Sequence, residues 1–170
     1  RALSGGDAMT VYLWDAETGK LLKQLRGHKR NIRTVAFSPD GSQALSAGLD
    51  GIAILWDLEK GEELRRFTEH ERAIQWVTFS PDGRRISTAG VATTRIWNSG
   101  TGKEIFQLPT DAEKSLVAYA EFSPDGSRLL VARTDGLLVL WDATTGKEVR
   151  RYRSGQTSLQ AAAFLPDGRF

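Results

Sequence analysis

The chain repeats one five-residue phrase, Phe-Ser-Pro-Asp-Gly, with a period of about 42 residues. Its four copies, the last with Leu in place of Ser, begin at phenylalanines 42, 43 and 42 residues apart: Phe37, Phe79, Phe122 and Phe164. Tryptophan followed by Asp or Asn returns with almost the same spacing, at Trp14, Trp56, Trp97 and Trp141. A fixed period in this range indicates a repeat architecture in which each unit packs on its neighbours. The repeat therefore constrains the fold more strongly than any other feature of the sequence.

One repeat predicts four short strands. Residues 32–37 form an apolar strand that ends at Pro39-Asp40-Gly41, a tight turn because proline fixes φ and glycine accepts a positive φ. Residues 43–47 and 52–56 form the second and third strands, and residues 62–67 alternate polar and apolar like a half-buried outer strand. Four antiparallel strands in about 42 residues build one blade of a β-propeller.

These residues resemble the WD-repeat (WD40-type) family of β-propellers. The resemblance rests on the repeated phrase, the Asp-Gly turn, the strand that closes in Trp-Asp, and Gly27-His28 upstream, and it covers essentially the whole chain. It implies an all-β fold, a β-propeller of four-stranded antiparallel blades, with four repeats in a single unit over residues 1–170. Continuous blades are expected at 27–69, 70–110 and 111–153, and a split blade shared by the two termini at 1–26 plus 159–170.

The phase of the repeats predicts how the unit is completed. If the motif at the C-terminus is continued into the N-terminal strands of the chain, the two together form a fifth copy of the repeat. In the family this arrangement resembles a closure in which both termini complete one sheet. Four blades alone would each turn by about 90°, whereas blades in rings of seven or eight turn by about 45–51°. We therefore expect two chains to associate as a homodimer with eight blades. A fragment of a larger propeller and a closed four-bladed monomer are the alternatives.

Composition argues against several classes of function. The absence of cysteine rules out disulfides and thiolate chemistry and fits the reducing cytoplasm, which is the expected location. A net charge of +2, without a block of like charges, does not indicate nucleic-acid binding. No apolar run approaches the ~18–20 residues that span a bilayer, so no membrane partner is expected.

The resemblance also implies a structural tetrad in the second repeat, formed by His28, Ser46, Asp50 and Trp56. In such a tetrad the Asp holds the imidazole, the Ser bridges, and the indole N–H finds an acceptor. His, Ser and Asp could also form a hydrolase triad. The tetrad position instead predicts a buried, satisfied network without an exposed nucleophile, so no catalytic residue is predicted.

The other repeats depart from this pattern. The first has Ser4 and Asp7 with a one-residue offset, the third has His70 and Trp97 but Val91-Ala92 in place of Asp-Gly, and the fourth has Asp135 and Trp141 but neither His nor Ser. Two explanations of these departures are open: loss of the motif in an array whose repeats are redundant, or turns reshaped for binding. In the first case blades three and four should be less rigid than blade two.

Two further patterns do not indicate chemistry. Thr-Gly-Lys occurs three times, but it lacks the preceding glycine and the strand–helix context of a phosphate-binding loop, so it is predicted to form hairpin turns. Two histidines at equivalent repeat positions, His28 and His70, do not make a metal site, and no carboxylate pair stands out as acid and base. No metal and no cofactor are predicted.

In WD-repeat proteins, partners dock on the face formed by the loops before the first strand and after the second strand of each blade, here called the top face. Carried onto this chain, the top face contains twelve candidate partner-binding residues: Lys29, Arg30, Arg33, Leu49, Glu71, Arg72, Gln75, Val91, Glu113, Lys114, Thr134 and Gln160. This mixture of apolar, basic and polar side chains suits a protein or peptide better than a phosphate backbone. Trp76 and Tyr119 share one repeat position and either mark a recognition patch or fill space between blades.

The expected function is a non-catalytic protein–protein interaction scaffold that presents a rigid loop surface to its partners. The alternative is a structural or engineered self-assembly module, a half-propeller that dimerises without a dedicated partner. An enzyme is less favoured than either, because no convergent cluster of titratable groups is visible. Fold alone does not decide among these functions.

Overall fold

A computed structural model shows an all-β chain and describes residues 1–91, 93–109, 116–153, 155, 158–166 and 168. Within these residues fifteen strands form four antiparallel sheets, and in each sheet neighbouring strands follow one another in the chain. Such meanders need only the short hairpin turns that the repeated glycine-containing segments supply. The predicted fold class, four repeats that each build a small antiparallel blade, is confirmed. Over the same residues there is no helix long and apolar enough to cross a membrane.

We number the sheets as blades one to four. Blade one contains β1 (Ala2–Ser4), β2 (Thr10–Trp14) and β3 (Leu21–Arg26). Blade two contains β4 (Ile32–Phe37), β5 (Gln43–Gly48), β6 (Ala53–Asp57) and β7 (Glu62–Phe67). Blade three contains β8 (Ile74–Phe79), β9 (Arg85–Gly90), β10 (Thr93–Asn98) and β11 (Glu104–Pro109). Blade four contains β12 (Val117–Phe122), β13 (Arg128–Arg133), β14 (Leu137–Asp142) and β15 (Glu148–Arg153).

Blade one has three strands, whereas the other blades have four. The strand expected over residues 159–164 is not formed in the single chain: residues 158–165 have no regular secondary structure. The segment instead follows blade four, where the Leu159 N–H donates a hydrogen bond to the Arg133 carbonyl over 3.2 Å. Completion of blade one by this segment, and with it the split blade, stays a prediction.

The core lies between consecutive blades. Leu45, Leu55 and Phe67 of blade two are fully buried in one cluster with Ile74 and Ile86 of blade three, and similar clusters join blades one and two and blades three and four. Blade two is therefore covered on both faces, which explains the nearly continuous apolar character of its third strand, β6. As in other repeat proteins, each unit depends on contacts with its neighbours for stability.

Every outer strand carries a β-bulge beside the blade's tryptophan. The ladder skips one aliphatic residue in each blade, namely Leu22, Leu64, Ile105 and Val149. These four side chains are all exposed. A bulge interrupts the ladder and bends the edge strand, which discourages pairing with the edge of another chain.

Candidate interaction surface

A buried relay in blade two joins two loops of the top face. His28 lies 2.9 Å from the Asp50 carboxylate through Nδ1 and 2.8 Å from the Ser46 hydroxyl through Nε2, and Trp56 Nε1 donates to the same hydroxyl over 2.8 Å. Because an ionised carboxylate only accepts, Nδ1–H donates to Asp50, and Nε2 of the neutral imidazole then accepts from the Ser46 hydroxyl, whose oxygen accepts from the indole. Ser46 is completely buried. The structure thus brings all four predicted tetrad residues into one chain of hydrogen bonds.

Asp50 ends this relay between two loops of the top face, with its side chain only 5% exposed. Burial opposes its ionisation, but hydrogen bonds from the Lys29 N–H, at 3.0 Å, and from His28 outweigh burial and lower its pKa. The carboxylate is therefore ionised at neutral pH and holds the loop before β4 against the turn after β5. These two loops carry three of the candidate partner-binding residues, Lys29, Arg30 and Leu49, and Arg33 follows in β4.

Blade three has an equivalent relay with a different third partner. Thr88 takes the place of Ser46, accepting from Trp97 Nε1 over 2.8 Å and lying 2.7 Å from His70 Nε2. The Thr93 hydroxyl lies 3.2 Å from His70 Nδ1, where blade two has a carboxylate. Burial, followed by the charge of Arg95, lowers the pKa of His70 to about 4, so the imidazole is neutral at pH 7. Sequence reasoning missed both threonines, although Thr88 stands 42 residues after Ser46.

Blades one and four retain parts of the pattern. In blade one Trp14 Nε1 donates to the Ser4 hydroxyl over 2.8 Å. In blade four the repeat position of Gly48 and Gly90 is occupied by Arg133, whose guanidinium is buried and pairs with Asp135 at 2.8 Å. A buried cation thus lies beside the turn carboxylate in blade four, which has no tetrad histidine.

The first strands of blades two to four each contain a bulge at the top face. The ladder skips Arg33 in β4, Gln75 in β8 and Ala118 in β12, so each of these residues lacks a partner across the strand pair. A bulge redirects the side chain of the extra residue out of the regular alternation. Gln160 has the same repeat position in the segment after blade four.

These bulge residues line a cavity of about 320 Å³, here called the inner-strand cavity. Its wall consists of Arg33, Gln75, Trp76, Leu116, Val117, Ala118, Thr134 and Gln160. The Trp76 and Tyr119 rings lie 4.7 Å apart at an angle of 44°. The half-buried Trp76 therefore fills space between blades three and four and also contributes an indole surface to the cavity, which joins the two interpretations of this pair.

The remaining described candidates line two further cavities. A cavity of about 340 Å³ between blades two and three is lined by Lys29, Arg30, Leu49, Asp50, Gly51, Ile52, Glu71 and Arg72. Its neighbour on blade three, of about 450 Å³, is lined by Glu69, Glu71, Arg72, Val91, Thr93, Arg95 and Gln107. Glu71 and Arg72 belong to both. The candidates Glu113 and Lys114 lie outside the described residues.

Four exposed cationic side chains of the top face are not paired with other side chains among the described residues. Among the described residues, Lys29, Arg30, Arg33 and Arg72 form no ion pair and no side-chain hydrogen bond. By contrast, Arg66, Arg95 and Arg128 elsewhere on the blades pair with carboxylates. The described residues include no group of three or more His, Asp or Glu side chains that could hold a metal ion. The surface therefore offers charge and apolar area for contact with another molecule.

Comparison with protein families finds the same repeats. The family model described as "WD domain, G-beta repeat" matches residues 19–57 and 61–98. A second model, "Anaphase-promoting complex subunit 4 WD40 domain", matches residues 86–165. Together the two models cover most of the chain.

Curated relatives are similar over one or several repeats. The Periodic tryptophan protein 2 homolog of Schizosaccharomyces pombe is 24% identical over 143 residues, which cover 84% of this chain and 12% of the relative. Ribosome assembly protein 4 of Chaetomium thermophilum is 42% identical over 52 residues, 29% of this chain and 10% of the relative. The Notchless protein homolog of Arabidopsis thaliana is 41% identical over 51 residues, 29% of this chain and 11% of the relative. The chain thus spans about a tenth of the length of these relatives.

Proposed function

Since the chain belongs to the WD-repeat family of β-propellers, we propose that it is a non-catalytic scaffold that binds protein partners on its top face. Members of this family are generally scaffolds of this kind. The name of one relative, Ribosome assembly protein 4, places that protein in the assembly of a larger particle. We propose that this chain likewise brings proteins together, and that its blades hold the contact loops in place before the partner arrives.

One observation carries this proposal. All ten described candidates for partner binding line at least one of the three top-face cavities, and Glu71 and Arg72 line two of them. Tetrad hydrogen bonds hold the loops of blades two and three, so binding requires little ordering of the scaffold. The cavities join cations without partners to indole and aliphatic surface, a combination suited to protein side chains.

Charge reversal on the top face tests the proposal. Proteins captured by the immobilised wild-type chain are compared by quantitative mass spectrometry with those captured by the double variant Arg33→Glu/Arg72→Glu. Arg150→Glu/Arg153→Glu, which reverses the same number of charges on the exposed outer strand β15, is the matched control. The top-face variant should lose partners that the β15 variant retains. Equal capture by all three proteins would place the interaction surface elsewhere.

Self-association is a second proposal, favoured by the strand count of blade one. Its edge strand β1 pairs only with β2, whereas the other three blades have a fourth strand at this side. Residues 159–164 of a second copy would supply that strand. Light scattering on a sizing column distinguishes 18.8 kDa from twice that mass. A homodimer whose mass falls to the monomer value when residues 159–170 are deleted would support pairing of this kind, and a monomeric wild-type chain would exclude it.

A further inference from the structure

One repeat position on the opposite face, at the turns that carry the Pro-Asp-Gly sequence, controls how neighbouring blades are joined. This position, at or next to the start of each second-strand region, holds Arg1, Gln43, Arg85 and Arg128 in blades one to four. We call this side of the molecule the bottom face. The residue is arginine in three repeats and glutamine only in blade two.

At two blade junctions the arginine bonds to the next blade. Arg85 donates to the carbonyls of Gly126, at 2.7 Å, and Ala143, at 2.8 Å, and its guanidinium lies 5.5 Å from the centre of the Phe122 ring. Arg1 donates to the Gly41 carbonyl over 2.7 Å in the same way. A guanidinium is therefore the group that these junctions accommodate between two turns.

At the junction of blades two and three this repeat position holds no arginine, although Arg65 of β7 donates to the Gly100 carbonyl of blade three. Here the repeat position is Gln43, and the carbonyls that correspond to the acceptors of Arg85 belong to Gly83 and Ser99. A cavity of about 650 Å³ opens at this junction. Its lining includes Gly83 and Ser99 as well as Gln43, Asp40, Asp82 and Arg84. We call it the bottom cavity. The Gly83 carbonyl accepts from the Ser99 hydroxyl over 2.7 Å, and a carbonyl oxygen has a second lone pair for another donor.

The charges of the bottom cavity favour a cation. Hydrogen bonds, first from the Ser38 hydroxyl and then from Ser42, lower the pKa of Asp40 to about 2. The Ser80 hydroxyl similarly lowers the pKa of Asp82. Two ionised carboxylates thus line the cavity against one cation, Arg84.

We propose that the bottom cavity binds the guanidinium of an arginine side chain supplied by a partner protein. In the bound state the guanidinium donates to the carbonyls of Gly83 and Ser99, as Arg85 donates to their counterparts one blade further on. Arginine is favoured over lysine because its planar, forked donors can reach two fixed acceptors at once. The site lies on the face opposite to the proposed scaffold surface and does not depend on that function.

The probe is N-acetyl-arginine amide, titrated into ¹⁵N-labelled chain while amide shifts are followed by NMR. N-acetyl-lysine amide is the control ligand. We expect saturable shifts centred on Gly83 and Ser99 with arginine, and several-fold weaker binding of lysine. Equal shifts with both ligands, or shifts without a focus at this junction, would overturn the proposal.

The variant Gln43→Arg supplies the missing guanidinium from within the chain. It should abolish the arginine-specific shifts and raise the melting temperature, because it joins blades two and three as Arg85 joins blades three and four. Gln24→Arg, which adds the same charge on the exposed outer strand β3, should leave the titration unchanged. Undiminished binding by folded Gln43→Arg contradicts the proposal, and if this variant does not fold, the arginine–lysine comparison on the wild-type chain decides alone.

Discussion

Replacing Ser46 with alanine tests the tetrad most directly, because one hydroxyl serves two buried groups. Trp56 Nε1 donates to this oxygen and His28 Nε2 lies within 2.8 Å of it. All three residues are almost completely buried. Ser46→Ala removes the shared partner and leaves an indole donor and an imidazole acceptor in a site from which water is excluded.

The cost follows from these two groups. A buried polar group that loses its partner costs about 1–3 kcal/mol, so the loss for the two groups together should lower the free energy of unfolding by about 2–6 kcal/mol. Stability of a domain is typically about 5–15 kcal/mol, so such a loss is a large fraction of the total. The unfolding midpoint in urea should therefore shift clearly, with little change in the slope.

Ser87→Ala is the matched control. Ser87 lies in β9, is also buried, and its hydroxyl has no hydrogen-bond partner among the described residues. The same deletion there removes an unsatisfied group, so stability should stay unchanged or rise slightly. Urea unfolding of both variants at pH 7 compares identical chemical changes that differ in hydrogen bonding. If the two free energies of unfolding agree within about 0.5 kcal/mol, the variation expected of a neutral surface change, the relay does not stabilise the blade.

Three further perturbations test the junctions, the second relay and the top-face turn. Arg85→Gln places at this position the residue that blade two has. It should lower the free energy of unfolding in urea by about 2–3 kcal/mol, because the charge-assisted bonds to the Gly126 and Ala143 carbonyls are lost. An unchanged midpoint would contradict the role given to this side chain. The pKa of His70 falls from 6.5 to about 4 on folding, so the neutral imidazole makes its full contribution to stability above pH 6.5. The free energy of unfolding should decrease by about 3 kcal/mol as the pH falls to 4. His70→Gln should flatten that part of the profile, and an unaltered slope would assign it to other groups. Gly48→Ala would place Cβ 2.1 Å from a backbone carbonyl, and circular dichroism should show loss of folded protein, whereas Gly6→Ala meets nothing within 4 Å and should fold normally.

The period and the turn residues were sufficient to predict most of the strands. The bounds of β4 and β7 agree with the prediction: a Pro-Asp-Gly turn follows the end of β4, and the turn after Trp-Asp precedes the start of β7. Residues 159–164 have the same pattern without forming a strand. Their apolar alternation indicates what the segment can pair with, but a strand also needs a neighbour whose backbone groups are available.

The side chains that replace tetrad members could not be assigned in the same way. Thr93 reaches His70 from the start of β10 and not from the turn that carries Asp50 in blade two, so the position of the blade-two carboxylate does not indicate it. Arg133 stands where Gly48 is required in blade two, and an arginine in a sequence is normally assigned to the surface. Its burial depends on the adjacent Asp135, a relation that exists only in the folded blade.

The departures from the repeat are therefore not all losses of structure. In blade three the imidazole keeps partners on both ring nitrogens, and in blade four a buried guanidinium is paired with a carboxylate. Each blade satisfies these buried groups with residues of its own, so a substitution in one blade leaves the relays of the others intact. Loops on the top face and the arginine position on the bottom face can then diverge blade by blade. The substitution of Gln43 for arginine illustrates this: it removes one link between neighbours and leaves an acceptor-lined cavity, while the strands on both sides keep their register.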